Sequence, residues 1–223
     1  MSRETKAAKR ERAAKVEERM FSHYGPGEPS LDYDRDPFRL VCAVLLSAQC
    51  TDAAVNKVTP KLFGRYPTCF ELASANAEDV EEIIHSLGFF RSKAANLVKL
   101  SRKLVEEFDA TVPNDLDLLQ KLPGVGRKTA NVVMAEAFKN AQGIAVDTHV
   151  FRIAHRLKFA GPSADTPDKT ERALLDLHPK ETWLYINHQW VHFGREFCLA
   201  RRPKCDLCII ADLCPSSGGG NHS

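Results

Sequence analysis

The chain has 223 residues, of which 43% are hydrophobic and 27% charged, and these proportions are typical of a folded globular protein rather than a disordered one. Its formal net charge of +2 is too small to indicate a nucleic-acid partner by itself. Positive charge is concentrated in residues 1–20, which carry seven Lys or Arg and four Glu. For this basic N-terminal arm we predict a solvated, helix-prone tail.

Membrane insertion and export are not indicated by the sequence. A membrane-spanning helix needs about 18 consecutive apolar residues, whereas the apolar run at 40–48 is far shorter. The N-terminus lacks the apolar core of a secretory signal, and its Glu residues argue against an organelle transit peptide. We therefore expect a soluble, cytoplasmic protein.

Helical patterns follow one another along the chain, and strand patterns are almost absent. Thr51, Asn76, Asp147 and Thr166 are predicted helix N-caps. Pro60 is expected to interrupt the helix that starts after Thr51. The predicted helices cover 37–48, a segment from 52, 76–88, 92–108, 115–122, 127–138, 148–158, 166–177 and 182–197. These patterns predict an all-α fold, followed by a disordered tail at 216–223.

Four of the seven cysteines are crowded near the C-terminus with the spacing C-x6-C-x2-C-x5-C. They are Cys198, Cys205, Cys208 and Cys214. Four thiolates at this spacing can bind either zinc or an iron–sulfur cluster, and the spacing alone does not choose between them. The other three, Cys42, Cys50 and Cys69, lie in apolar surroundings and are interpreted as packing residues.

Basic residues accompany the cysteines. Arg195, Arg201, Arg202 and Lys204 are the cations in or next to this loop. They are candidates for contacts with the phosphates of a nucleic acid. A solvated basic loop without such a partner is the alternative.

The segment LPGVGRKTA at 122–130 joins two short predicted helices through a glycine-rich turn. Glycines leave the backbone N–H groups of Gly124, Val125, Gly126 and Arg127 open to close approach, next to the positive end of a helix dipole. These features indicate a phosphate-binding helix–hairpin–helix element; a turn used only for packing is the alternative. Lys128, in the first turn of the second helix, is a phosphate contact or, more rarely, a nucleophile.

The string VDTHVFR begins at Val146, and Asp147 in it is by default a helix N-cap. Taken with the hairpin, the cysteine spacing and the segment LLSAQCTD at 45–52, it closely resembles the endonuclease III family of the helix–hairpin–helix superfamily. The resemblance runs from about residue 20 to residue 215. That family consists of base-excision DNA glycosylases that are also AP lyases.

The resemblance implies two helical domains with a DNA-binding cleft between them. The first would be a six-helix barrel at 30–140, with the helix–hairpin–helix at 115–138. The second would combine 1–29 with 141–223 and carry a [4Fe-4S] cluster in the loop 198–214. The expected partner is double-stranded DNA containing oxidised pyrimidines or abasic sites, bound by a monomer.

The resemblance also implies roles for single residues. Lys128 would attack C1′ of the damaged nucleotide, and Asp147 would assist. Gln49 would enter the gap left by the extruded nucleotide. At the position of an aliphatic wedge in the family, this chain has Phe89, for which stacking in the duplex and ordinary core packing are both open.

The sequence is also compatible with two other functions. One is a monofunctional glycosylase of mismatch or adenine type in the same superfamily. Those enzymes generally lack a lysine at the position of Lys128. The other is a non-catalytic DNA-binding module with a structural metal, which would require neither Lys128 nor Asp147.

Overall fold

The computed structural model describes residues 4–27 and 30–217, and within these ranges the chain is helical and contains no strand. The α-helices are α1 Lys6–Tyr24, α2 Pro37–Leu46, α3 Asp52–Arg65, α4 Cys69–Ala73, α5 Ala77–Ile84, α6 Phe90–Glu107, α7 Leu116–Leu119, α8 Arg127–Glu136, α9 Thr148–Arg156, α10 Pro167–Leu177 and α11 Trp183–Glu196. Short 3-10 turns cover Lys180–Thr182, Cys205–Leu207 and Ala211–Leu213. The predicted all-α class is confirmed, and none of the described helices is both long and apolar enough to cross a membrane.

Helix starts follow the capping residues of the sequence. The Thr51 hydroxyl accepts the Ala54 N–H at the start of α3, and the Thr166 hydroxyl accepts the Lys169 N–H at the start of α10. Each of these contacts satisfies a backbone donor that has no partner within the helix. Asn76 precedes α5 as predicted but makes no side-chain capping bond.

Helix ends and one short helix differ from the sequence-based prediction. Helix α3 continues through Pro60 to Arg65, because Val55, Val58 and Leu62 are buried on both sides of the proline and hold the helix against the core. Helix α5 ends at Ile84 rather than at Gly88. Helix α4 was not predicted, although Thr68 and Glu71 form a capping box at its start.

The chain folds as two compact units, of which one contains residues 30–142 and the other contains 4–27 and 143–217 among the described residues. The core of the first unit includes Leu46, Leu62, Leu97 and Leu104, none of which is exposed. It is built mainly by α2 to α8. The second unit has its own core of apolar side chains, centred on Trp190 of α11.

The N-terminal arm is not a solvated tail. Helix α1 buries Ala13, Val16 and Met20 completely, and all three belong to the core of the second unit. The prediction failed because the arm was assigned from its charge, while its apolar residues recur at the three- and four-residue spacing of one helix face. At the other end, Ser216 and Ser217 donate hydrogen bonds to the carbonyls of Arg156 and Cys214. The rest of the tail, 218–223, lies outside the described residues.

Candidate functional site

The glycine-rich turn connects α7 to α8 in the first unit. Gly124 has φ +78°, and a Cβ at this position would lie 2.8 Å from Leu45 and 3.0 Å from Asn96. Both the left-handed backbone and the close packing therefore require glycine here. Gly126 is different, because a Cβ there would meet nothing within 4 Å. Its lack of a side chain instead leaves open space at the start of α8.

The start of α8 offers backbone donors to a partner. Gly126 is its N-cap and provides no side-chain cap, so the first N–H groups of the helix have no intrahelical acceptor. Val125 contributes differently from the expectation. Its N–H donates to the Leu122 carbonyl at 3.1 Å, and its side chain is buried, so it stabilises the turn instead of offering a donor. Arg127, the first residue of α8, is half-buried.

Lys128 is the second residue of α8, and its side chain is exposed. Its ammonium forms no hydrogen bond or ion pair with any described residue. A lysine that held the protein fold together would have a carboxylate or carbonyl partner. The amine of Lys128 is therefore accessible to a molecule that approaches the hairpin.

Asp147 is the N-cap of α9 in the second unit. Its Oδ1 accepts the N–H groups of His149 and Val150, both at 2.8 Å, as the default interpretation of the sequence predicted. Its second oxygen, Oδ2, lies 3.3 Å from Nδ1 of His149. The carboxyl is only 17% exposed, so the cap and the imidazole hold it in one orientation.

Gln49 and Phe89 lie in two tight turns of the first unit. Gln49 follows α2 with φ 56°, and Phe89 precedes α6 with φ 57°. Left-handed conformations are unfavourable for residues with a Cβ and persist only where the surrounding structure holds them. Both side chains are exposed, and 65% of Phe89 is accessible to solvent. Core packing of Phe89, one of the two alternatives, is therefore wrong.

The structure brings these two turns together with the hairpin. A Cβ at Gly88, next to Phe89, would lie 3.9 Å from Sγ of Cys50, next to Gln49. Gly124 of the hairpin packs on Leu45 of α2 and on Asn96 of α6, the helices that carry the two turns. Three segments that are far apart in sequence thus form one surface of the first unit.

The cysteine loop of the second unit encloses a cavity of about 510 Å³ that is lined by Cys198, Cys205, Cys208 and Cys214. This space is much larger than the roughly 30 Å³ that one water molecule occupies. Within the described part of the chain, no three or more His, Cys, Asp or Glu side chains are arranged to hold a single metal ion. A cavity of this size lined by four thiols has room for an iron–sulfur cluster.

The electrostatics of the loop agree with this assignment. Burial raises the pKa of the Cys208 thiol above its ordinary value, and the charges of the other three cysteines raise it further. All four thiols can therefore be deprotonated together only when positive charge lies between them, as iron would provide.

Two arginines of α9 hold the loop in place. The Arg156 guanidinium donates to the carbonyls of Leu199 at 2.7 Å and Ala200 at 2.9 Å, and to Cys198 Sγ at 3.1 Å. Arg152 donates to the Cys198 carbonyl at 3.1 Å. Because the loop contains only two short 3-10 turns, these contacts replace the hydrogen bonds that regular structure would provide.

The cations that the sequence places in or next to the loop face solvent. Arg195, Arg201, Arg202 and Lys204 are exposed, and none of them forms an ion pair with another described residue. They remain available to an anionic partner.

Comparison with protein families agrees with this site. The chain matches the HhH-GPD superfamily of base excision DNA repair proteins over residues 42–180, which contain the hairpin and both turns. Residues 198–214 match the iron–sulfur binding domain of endonuclease III. The fold and the site therefore define a base excision DNA repair protein that carries an iron–sulfur domain.

Individual relatives narrow this class. Endonuclease III of Synechocystis sp. is 46% identical over 211 residues, which are 95% of this chain and 95% of that protein. Endonuclease III of Bacillus subtilis is 45% identical over 80% of this chain and 81% of its own length. A solved structure of a trapped covalent intermediate of endonuclease III with DNA superposes with a TM-score of 0.85 at 41% identity, covering 93% of this chain and 96% of that one.

The chain belongs to the endonuclease III family. Its activity is that of a DNA glycosylase and AP lyase of base excision repair, and its cofactor is a [4Fe-4S] cluster. The zinc alternative and the two other functions left open by the sequence are therefore excluded.

Several contacts of the site were not predicted from the sequence. They involve His149 beside Asp147, Arg156 at the cysteine loop, and Lys93, whose Nζ donates to Cys50 Sγ at 3.0 Å. The string VDTH contains His149 at the spacing of a capping turn, so this contact was accessible to sequence reasoning. The Arg156 and Lys93 contacts join distant segments and have no local signal.

Proposed function

We propose that Lys128 is the nucleophile of this glycosylase and lyase, and that oxidised pyrimidines in duplex DNA are its substrates. The observation that carries the proposal is the exposed amine of Lys128 on the first turn of the hairpin helix, without a partner among the described residues. A primary amine can do what a water molecule cannot, because it stays bonded to the sugar as an imine.

The chemistry follows from that bond. The neutral amine of Lys128 forms a bond to C1′ as the bond between C1′ and the base breaks, and the base leaves with a proton. The sugar ring then opens to an imine, which makes the protons on C2′ acidic. Loss of one C2′ proton expels the 3′ phosphate by β-elimination. Hydrolysis of the imine returns the amine of Lys128.

Asp147 is the carboxylate we assign to the developing positive charge on the sugar. Its Oδ1 is committed to the cap of α9, so Oδ2 is the atom available for this role. His149, 3.3 Å from Oδ2, orients that oxygen. We treat His149 as a positioning residue, since its contact is with the carboxylate.

DNA binding in this proposal has two parts. The uncapped N–H groups at the start of α8, Arg127 and the cations of the cysteine loop contact phosphates, without reading the sequence. Gln49 and Phe89 enter the base stack where the damaged nucleotide has been extruded, which is cheapest at a damaged base. Phe89 supplies an apolar wedge and Gln49 an amide for the unpaired base.

Four cysteines would hold the [4Fe-4S] cluster in our proposal, namely Cys198, Cys205, Cys208 and Cys214. The iron would supply the positive charge that keeps the four neighbouring thiols deprotonated. The ordered loop would then display Arg201, Arg202 and Lys204 to the phosphates.

Borohydride trapping tests the nucleophile. Incubation with abasic duplex DNA and borohydride should reduce the imine to a covalent crosslink between enzyme and DNA. Lys128→Ala should abolish the crosslink and lower DNA affinity only modestly, because one phosphate contact among several is lost.

Lys128→Arg is the matched control, because it keeps the positive charge but provides no neutral amine. We expect it to bind DNA and to form no crosslink. If Lys128→Arg retained lyase activity, Lys128 would be a phosphate contact and the nucleophile would lie elsewhere.

A further inference from the structure

Lys93 is a buried lysine with an unusual environment. Only 4% of it is exposed, and lysines are almost never buried to this extent without an acidic partner. Its Nζ donates to Cys50 Sγ at 3.0 Å, and it makes no ion pair with any described residue. The sulfur of Cys50 is therefore the hydrogen-bond partner that the described structure gives to this side chain.

The lysine is attached to the turn that presents Phe89. It lies in the first turn of α6, and its backbone N–H donates to the Phe89 carbonyl at 3.1 Å. The Ser92 hydroxyl donates to the same carbonyl at 3.0 Å. The backbone of Phe89 is therefore fixed to the start of α6.

Cys50, the acceptor of the Lys93 hydrogen bond, belongs to the turn that presents Gln49. Cys50 follows Gln49 directly, and its N–H donates to the Ser47 carbonyl at 3.0 Å. The Lys93 side chain thus joins two turns whose sequence positions are about forty residues apart. The Arg65–Asp79 ion pair also joins helices that flank the two turns, but it lies at an exposed surface, whereas the Lys93 contact reaches the residue next to Gln49.

Both turns need such a constraint. A left-handed residue with a Cβ is strained, and it persists only when its surroundings hold it. Gln49 and Phe89 both have this conformation, and their exposed side chains provide little packing to maintain it.

We propose that Lys93 is a positioning residue that, through Cys50, couples the Gln49 turn to the Phe89 turn so that both side chains enter damaged DNA as one unit. This inference rests on the insertion of Gln49 and Phe89 that we proposed above. It assigns to Cys50, which the sequence indicated only as packing, the role of acceptor in this coupling.

The test uses the full-length enzyme and a duplex with a tetrahydrofuran abasic analogue opposite 2-aminopurine. Fluorescence of 2-aminopurine rises when the base loses its stacking, so it reports insertion without requiring any cleavage. We expect Lys93→Met, which keeps the length and removes the ammonium, to reduce the fluorescence rise severalfold while the Kd for undamaged duplex stays within about threefold. Cys50→Ala should have the same effect, and Cys50→Ser, which retains an acceptor, should restore much of the signal.

A double-mutant cycle separates coupling from two independent effects. If the two residues act as one unit, Lys93→Met combined with Cys50→Ala should reduce the signal no further than either change alone. If the fold-loss of signal in the double variant equals the product of the two single losses, the residues act independently and the proposal is wrong. Cys50→Ala also keeps the test decisive if Lys93→Met does not fold.

Ser101→Ala is the matched control for stability. Ser101 is buried in the same helix, but its hydroxyl donates to Leu97 of its own helix at 2.9 Å. This variant should lower the Tm and leave the fluorescence rise unchanged. An equal loss of signal in Ser101→Ala would mean that destabilising α6 suffices, and would overturn the role of Lys93.

Gln49→Ala and Phe89→Ala distinguish this inference from the proposed function. If they reduce the fluorescence rise and Lys93→Met does not, the coupling is wrong and the insertion stands. If neither reduces it, the insertion itself is wrong.

Discussion

The buried carboxyl of Glu17 leads to a quantitative prediction about how the free energy of unfolding depends on pH. Glu17 lies on α1, is 5% exposed, and its Oε1 accepts a hydrogen bond from Trp190 Nε1 at 3.1 Å. The ring of His178 is also buried, with Nδ1 3.7 Å from the same oxygen. Burial raises the pKa of Glu17 to about 8 and lowers that of His178 to about 4, so both are neutral in the folded protein near pH 7.

The sign of the pH dependence follows from these values. In the unfolded chain Glu17 loses its proton above its ordinary pKa of 4.5, while the folded protein keeps the proton up to about pH 8. Below pH 4.5 the carboxyl is protonated in both states, so its burial does not lower the free energy of unfolding. As the pH rises from 4.5 to about 8, only the unfolded chain loses the proton, and the free energy of unfolding falls. The loss is about 1.4 kcal/mol for each pH unit, or roughly 4 kcal/mol by pH 7.5.

Glu17→Gln should remove this loss, because an amide can still accept from Trp190 and carries no charge at any pH. We expect the variant to be more stable than the parent by about 1 kcal/mol at pH 5 and by about 3 to 4 kcal/mol at pH 7.5. Urea unfolding of both proteins across this range measures the difference. His178 is present in both, so its own titration cancels to first order.

Glu18→Gln is the control, since Glu18 is exposed on the same helix. It should change the free energy of unfolding by less than about 0.5 kcal/mol, as exposed substitutions commonly do. A difference between Glu17→Gln and the parent that did not vary with pH would refute the reasoning, because the carboxyl would then be charged or solvated in the folded protein.

Further predictions concern the site. Asp147→Asn should keep the cap of α9, because Asn caps as well as Asp, yet slow base release by a factor on the order of 10² or more in single-turnover assays; a destabilised but fully active variant would limit Asp147 to capping. Gly124→Ala should destabilise the hairpin by more than about 1 kcal/mol and weaken DNA binding, whereas Gly126→Ala should fold normally and weaken only DNA binding, as unfolding and fluorescence-anisotropy measurements would compare. The purified protein should be brown, with broad absorbance near roughly 400 nm, and removal of iron should lower the Tm and the DNA affinity together; a colourless protein with stoichiometric zinc is the contrary result. Affinity for undamaged duplex should fall steeply with salt, and Arg201→Ala should make that slope shallower by about 0.9.

Local sequence was sufficient where a structural signal lies within a few residues. The sequence predicted the cap at Asp147, the glycine turn before α8 and a metal-binding loop at 198–214. A cap, a turn and a chelating loop each depend on residues that are neighbours in the chain. The same is true of most helices. Pro60 shows the limit, since a local rule predicted a break that core packing overrode.

Tertiary structure decided the features that join distant segments. Three such features have no signature in the local sequence. They are the protonated Glu17 against Trp190, the Arg156 contacts to the cysteine loop and the Lys93 contact to Cys50. In each case a polar or charged side chain would ordinarily be placed on the surface. Its burial depends on which partner the fold brings within hydrogen-bonding distance, and only the folded chain determines that partner.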